Sequence, residues 1–300
     1  MTRGRALVYA LAVVVLWSSS FLLIKYGLQS MGPVWLTFIR YEIAAVALLA
    51  ISWRATREAW RVLGPRRILL FGFLGYAVAQ ALFIYALDEL PTSTTLVISA
   101  VCNAISVTSL GVLFLGERPR ALSYAGIGLT LVGLFVFAGL EPMGVLAPLP
   151  LVAIVVSSAG FAGWLVLGRG HMRGQVSARG VTTPSMLLGT LPLLAVALAI
   201  EPAPALTPLA LGAIVWLALA NTALAFTLWA ASQRALAAFE SNLFTNLVVV
   251  SASVLAFLIL GEPLRAPQWV GLGVVVTGVA LTQLPRRGVT PVLPEETEVA

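Results

Sequence analysis

The chain has 300 residues, 60% of them hydrophobic and only 10% charged, with a net charge of +6 and a mean hydropathy of +0.99. A soluble domain carries about 25% charged residues, so this composition excludes a water-soluble globular protein and requires a bilayer. A single cysteine (Cys102) and a single histidine (His171) exclude an internal disulfide, a thiolate metal centre and a histidine-based catalytic site.

A bilayer core of about 30 Å takes roughly 20 apolar residues per helix. The first such run, 5–28, follows a basic start, Met1–Arg5. It has no small-residue cleavage site and is read as a retained helix. Runs at 33–53, 67–88, 92–115 and 121–140 complete a first group of five. Runs at 148–168, 183–200, 208–231, 238–260 and 266–284 form a second. Glycine and proline mark the joints, among them Gly32-Pro33, Gly64-Pro65, Glu201-Pro202 and Gly261-Glu262-Pro263. The tail, 286–300, is polar and reads as a disordered cytoplasmic end.

With the N-terminus in the cytoplasm and ten alternating crossings, the inner side holds Arg3, Arg5, Arg54, Arg57, Arg61, Arg66, Arg67, Arg118, Arg120, Arg169, Arg173, Arg179, Arg234, Arg286 and Arg287. The outer side holds only Arg265, with Asp88, Glu89, Glu141, Glu201 and Glu262. Every loop obeys the positive-inside rule. Both termini are thus expected in the cytoplasm of a bacterial cell, with the chain in its inner membrane. The charge marks membrane orientation, and no nucleic-acid partner is expected.

The two groups of five repeat. Gly116-Glu117-Arg118-Pro119 and Gly261-Glu262-Pro263 follow corresponding runs, 145 residues apart. Gly126, Gly128 and Gly133 match Gly271, Gly273 and Gly278 at the same offset. Five is odd, so the second copy lies upside down relative to the first. The fold expected is an all-α membrane protein of ten transmembrane helices in two inverted five-helix repeats, 1–144 and 145–285. Inverted repeats are typical of secondary transporters, where equivalent halves exchange inward- and outward-open shapes.

Polar groups inside a membrane are expensive and face a cavity or a partner. Trp17 lies among Ser18, Ser19 and Ser20, and Trp164 among Gly160, Ala162 and Gly163. Each ring either walls a substrate cavity or packs closely against a neighbouring helix. Lys25, near the outer end of its helix, is placed to snorkel. Arg40 suits a substrate carboxylate through its forked geometry; the alternative is a structural donor to carbonyls or an ion partner. Glu42 and Glu240 are the proton-coupling candidates, since a buried carboxyl can change its protonation state near neutral pH. Glu240 also starts a helix, where the dipole alone would favour it. Tyr76 and Gln80 share a helix face, and Asn221 matches Tyr76 at the 145-residue offset. Thr95, Ser99, Asn103 and Ser106 form one stripe, and Asn242, Asn246 and Ser253 form its counterpart. The asparagines are read as cavity residues and the hydroxyls as candidates for either cavity or interhelical hydrogen bonds. Trp53, Trp60, Trp229 and Trp269 are placed as interfacial anchors. Glu117 and Glu262 are read as turn braces.

The order Trp17-Ser18-Ser19-Ser20-Phe21, Lys25, Pro33 and Arg40, with the two Gly-Glu-(Arg)-Pro turns and the glycine-rich helices after them, resembles the EamA family of the drug/metabolite transporter superfamily over about residues 5–285. Ser18 stands where the family pattern has Gly, and Tyr41-Glu42 follows the Arg where Phe and an apolar residue are usual. The resemblance implies ten helices in two inverted halves and proton-linked or concentration-driven export of amino acids and related metabolites. The expected function is a secondary, ATP-independent transporter that exports amino acids or related zwitterionic metabolites by alternating access. Export of lipophilic cations or drugs is the second reading and a membrane scaffold the third. No enzyme activity and no cofactor are expected; the partners are a small-molecule substrate and the bilayer, with the protein either a monomer or a homodimer.

Overall fold

A computed structural model describes residues 2–90, 92–116, 119–138, 148–172, 176–255, 258 and 264–283. Its elements are α1 (Arg3–Leu28), α2 (Pro33–Gly72), a π-helical stretch π1 (Phe73–Ala81), α3 (Leu82–Glu89), α4 (Thr92–Leu115), α5 (Ala121–Ala138), α6 (Pro148–Met172), α7 (Ala178–Ile200), α8 (Pro208–Ala218), a second π-helical stretch π2 (Leu219–Leu224), α9 (Ala225–Ser232), α10 (Ala238–Leu255) and α11 (Ala266–Gln283). No strand occurs among the described residues. Among the described residues six helices are long and apolar enough to cross a membrane, with shorter apolar helices at Ala121–Phe137, Leu243–Ala252 and Ala266–Thr282. The protein is an integral membrane protein whose described residues are mainly helical.

One of the six, Pro33–Glu89, has 57 residues. At 1.5 Å per residue it would reach roughly 85 Å if straight, far beyond a bilayer core of about 30 Å. Two breaks relieve this. Ser52 leaves helical geometry at φ −129° and ψ 23°, and Gly64 at φ 73° and ψ 162°. The second is a region open essentially to glycine alone, and Pro65 follows it. The predicted runs 33–53 and 67–88 lie on either side. The stretch between, expected as a joint, is helical. It turns Thr56 and Ala59 inward and leaves Trp53, Arg54, Arg57, Trp60 and Arg61 exposed.

The starts of four helices are satisfied locally or across the bundle. Thr2, Ser177 and Thr207 cap α1, α7 and α8 through their side-chain oxygens. Gly32 cannot cap α2 with a side chain. Instead the Glu201 carboxylate, beyond the end of α7, accepts from Val34 N and Trp35 N, both at 2.9 Å.

The elements pair mainly between the two groups of five: α2 lies along α7, α5 along α11, α4 against α6 and α10, and α1 against α8, α9 and α10. Glycines set the closest approaches, as small residues do where helices associate without water. Gly72 and Gly189 bring the α2 and α7 backbones together. On the other seam Gly126 meets Gly278 and Gly133 meets Gly271. An early residue of α5 therefore faces a late residue of α11 and the reverse, so these helices run antiparallel. Gly128 and Gly273, the remaining matched pair of the repeat, face open space.

Candidate functional site

The two π stretches frame the centre of the bundle. In π1 the Ala79 carbonyl accepts from Ser157 Oγ of α6 at 2.6 Å. In π2 the Asn221 carbonyl accepts from Trp17 Nε1 of α1 at 3.1 Å and from Arg40 Nη2 of α2 at 3.4 Å. The widened π turn also lets Thr222 Oγ1 donate five residues back, to Leu217 O at 2.8 Å. The same oxygen accepts from Arg40 Nε at 2.6 Å.

Between these stretches lies a cavity of about 140 Å³ that is open on one side. Its walls come from α1, α2, π1, α3, α4, α6, α9 and α10. Trp17, Phe21, Phe83, Phe161 and Phe226 make an aromatic side. Ser20, Arg40, Gln80, Ser99, Asn103, Ser157, Thr245 and Asn246 supply the polar groups. The lining of α1 starts at Trp17 and runs to Ile24, and that of α4 runs from Leu96 to Asn103. The cavity therefore occupies the half of the bundle away from the Arg3 end. At that end Arg3 pairs with Glu240 at 3.1 Å, and Ala6, Ala10, Val13 and Val14 are buried.

Arg40 is 3% exposed, and its guanidinium stands 5.4 Å from the centre of the Tyr41 ring. Among the described residues no carboxylate pairs with it. Its neutral acceptors, Thr222 and Asn221, fix the guanidinium beside the cavity without cancelling its charge. An arginine held this way can take a carboxylate through two parallel hydrogen bonds.

Of the residues expected at the site, Trp17, Arg40, Gln80, Ser99, Asn103 and Asn246 line the cavity. Tyr76 and Trp164 stand behind its wall. Their ring centres lie 5.5 Å and 5.6 Å from that of the lining residue Phe226, and Trp164 stacks on Phe71. Gly75 is the reason Trp164 fits, since a Cβ there would meet the indole ring. Asn221 is fully buried as a clip between π2 and α1, donating from Nδ2 to Leu16 O at 2.5 Å and Ser19 Oγ at 3.1 Å. Glu42 accepts from Thr190 Oγ1 at 2.6 Å in the α2–α7 seam. Glu240 pairs with Arg3 and accepts from Ala237 N at 2.9 Å, an N-terminal brace of α10. Neither glutamate lines the cavity. The side chains of Lys25, Asn242 and Ser253, residues Glu117 and Glu262, and the tail 286–300 lie outside the described residues.

Trp229 corrects an expectation. It is fully buried, its ring centre 5.2 Å from that of Trp17, rather than anchored at an interface. Trp53, Trp60 and Trp269 are exposed. The sequence reading did not place Phe21, Phe161 and Phe226 at the cavity, because an aromatic residue in an apolar run carries no periodic signal separating lipid-facing from cavity-facing positions. Among the described residues no group of three His, Cys, Asp or Glu side chains is placed to hold a metal.

The model of the EamA-like transporter family matches residues 4–139 and again 149–284. A probable terminal-alkyne amino-acid exporter of Streptantibioticus cattleyicolor is 30% identical over 298 residues, covering 94% of each chain. A probable amino-acid metabolite efflux pump of Escherichia coli K12 is 33% identical over 132 residues, 43% of this chain and 41% of that one. A solved crystal structure shares the fold with a TM-score of 0.79 at 19% identity, covering 94% of this chain and 97% of the other.

Proposed function

This chain belongs to the EamA-like transporter family, and from that premise we propose that it is an ATP-independent exporter of amino acids or closely related carboxylate metabolites across the bacterial inner membrane. Arg40 carries the reading: it is a buried cation at the wall of a largely apolar cavity, and among the described residues its hydrogen-bond acceptors are neutral. It supplies one anchoring charge, and Trp17 and Phe226 supply an apolar surface. A lipophilic cation, the competing substrate class, would meet that charge as repulsion. The names of two relatives, an amino-acid exporter and an amino-acid metabolite efflux pump, favour the same class.

In this reading ten helices form two inverted halves with both termini in the cytoplasm. The double family match and the antiparallel glycine contacts of α5 and α11 support it. The halves rock about the central cavity. Arg3–Glu240 seals one end and the Glu201 cap on α2 stands at the other, so exchange of access needs one contact to loosen as the other forms. Glu42 and Glu240 would couple proton movement through the α2–α7 seam and the Arg3 contact, not through direct touch on substrate.

The test is counterflow in proteoliposomes with a panel of labelled amino acids, monocarboxylates and organic cations. Accumulation of carboxylates by wild type, lost in Arg40→Gln, supports the proposal. Accumulation of cations, undiminished by that substitution, refutes it.

A further inference from the structure

The cavity wall holds more unmet hydrogen-bonding capacity than a carboxylate would use. Ser99 Oγ, Asn103 Oδ1 and both amide atoms of Asn246 are buried without a partner among the described residues. All three residues line the cavity, and Asn246 is fully buried. Buried polar atoms are paired as a rule, so a cluster of exceptions at one wall calls for a partner of matching chemistry. Asn246 offers a donor and an acceptor side by side, which is the complement of another amide.

The charge balance of the wall is one-sided. Arg40 is the only ionisable residue among the described lining residues. A bound monoanion leaves that pair neutral. A bound zwitterion leaves a net positive charge in apolar surroundings, and the described lining side chains offer its ammonium amide and hydroxyl oxygens but no carboxylate. Burying an ion without an opposite charge is costly.

We infer that the preferred ligand is an N-acylated amino acid with an apolar side chain. Its carboxylate meets Arg40, its amide meets Asn246 with Asn103 alongside, and its side chain lies on Trp17 and Phe226. This rests on the reading above that Arg40 binds a carboxylate, and it narrows the class from amino acids at large to those whose ammonium has been removed by acylation.

The experiment uses purified full-length protein in nanodiscs and four probes that share a phenyl group: L-phenylalanine, N-acetyl-L-phenylalanine, 3-phenylpropionate and 2-phenylethylamine. Binding is read as thermal stabilisation against ligand concentration. N-acetyl-L-phenylalanine is expected to bind at least about tenfold tighter than L-phenylalanine, the scale on which an unpaired buried polar group is felt. It should also bind tighter than 3-phenylpropionate, and 2-phenylethylamine should not bind. Asn246→Ala should lower the affinity ratio of N-acetyl-L-phenylalanine to 3-phenylpropionate. That ratio is read within one protein, so a smaller folded yield does not move it. If the variant cannot be purified, the wild-type ranking alone decides. L-phenylalanine binding as tightly as its acetylated form overturns the inference while leaving the carboxylate reading intact. Binding of 2-phenylethylamine alone overturns both. No binding by any probe at millimolar concentration overturns the inference, as does an unchanged ratio in Asn246→Ala.

Discussion

Replacing Arg40 by methionine separates a binding role from a structural one. Removing one member of a buried ion pair costs about 3–5 kcal/mol, because the other charge is left stranded. Among the described residues Arg40 strands no charge, and its acceptors keep other bonds. Thr222 Oγ1 still donates to Leu217 O at 2.8 Å, and Asn221 O still accepts from Trp17 Nε1 at 3.1 Å. The two lost hydrogen bonds are worth about 1.5–3 kcal/mol each. Their loss is offset by relief of a desolvated cation, an effect of several kcal/mol. The net change in stability of the ligand-free protein should therefore fall within roughly 1 kcal/mol of zero. Carboxylate binding behaves differently, because the ligand loses its charged partner outright, at about 2–5 kcal/mol. That corresponds to a loss of affinity of roughly thirtyfold to several-thousandfold. Thermal unfolding of the purified variant and titration with 3-phenylpropionate read the two quantities separately. A destabilisation above about 3 kcal/mol with carboxylate affinity retained would refute the reasoning and make Arg40 a structural tie.

Gly64→Ala should destabilise the protein by about 1–3 kcal/mol, although no neighbouring atom lies within 4 Å of the added Cβ; an unchanged melting temperature would mean the break can move elsewhere. Gly133→Leu should sharply reduce folded yield, because its Cβ would meet Val275 N at 2.7 Å and Gly271 O at 2.9 Å. Gly128→Leu, on the same helix with open space around it, should be tolerated, and equal yields of the two variants by size-exclusion chromatography would contradict the α5–α11 seam. Glu201→Ala should cost about 0.5–2 kcal/mol by uncapping α2, read by thermal unfolding against Glu89→Ala as an exposed control. Arg3→Ala should change stability by less than about 1 kcal/mol because the pair is partly exposed, yet alter the direction-dependence of transport in proteoliposomes if it seals that end.

The apolar runs were legible because a bilayer demands a near-continuous length of apolar residues, and glycine and proline interrupt it visibly. The break at Gly64 was readable as Gly64-Pro65, but the helical stretch before it was not. Trp53, Arg54, Arg57, Trp60 and Arg61 look like loop charge when orientation is the question, while Thr56 and Ala59 face inward only once the chain folds back. At the site, residue type was informative where a polar group in a membrane span is rare, as with Arg40, Asn103 and Asn246. It misled where polarity serves architecture. Asn221 shares the chemistry of Asn246, but sits in a π turn whose altered register aims its side chain at Leu16 and Ser19. No pattern with a period of 3.6 residues announces such a turn. Trp229 was misplaced for a related reason, since its depth along the helix suggested an interface while its rotation faces Trp17.

The register of 145 residues shows how a duplicated frame comes to carry one-sided chemistry. Ala100 and Thr245 correspond, as do Asn103 and Val248, and all four line the cavity. In each pair one member is polar and the other is not. Arg40 corresponds to Ser185, whose hydroxyl donates to Val181 O at 2.6 Å within its own helix. Trp17 corresponds to Ala162 and Asn246 to Val101. The frame thus places equivalent backbone positions around the cavity, as the proposed rocking exchange of access requires, while the described side chains give it a single charged pole, Arg40, and three amides, Gln80, Asn103 and Asn246, with no amide at the corresponding positions Ala225, Val248 and Val101. A site with one pole holds an asymmetric molecule in one orientation throughout the exchange. Moving the charge to the other half, as Arg40→Ser with Ser185→Arg, should therefore fail to restore binding, because position 185 contacts the α2 backbone at Gly72 rather than the cavity. Recovery of carboxylate binding in that double variant would show that the two halves are chemically interchangeable and that the pole is not fixed by the frame.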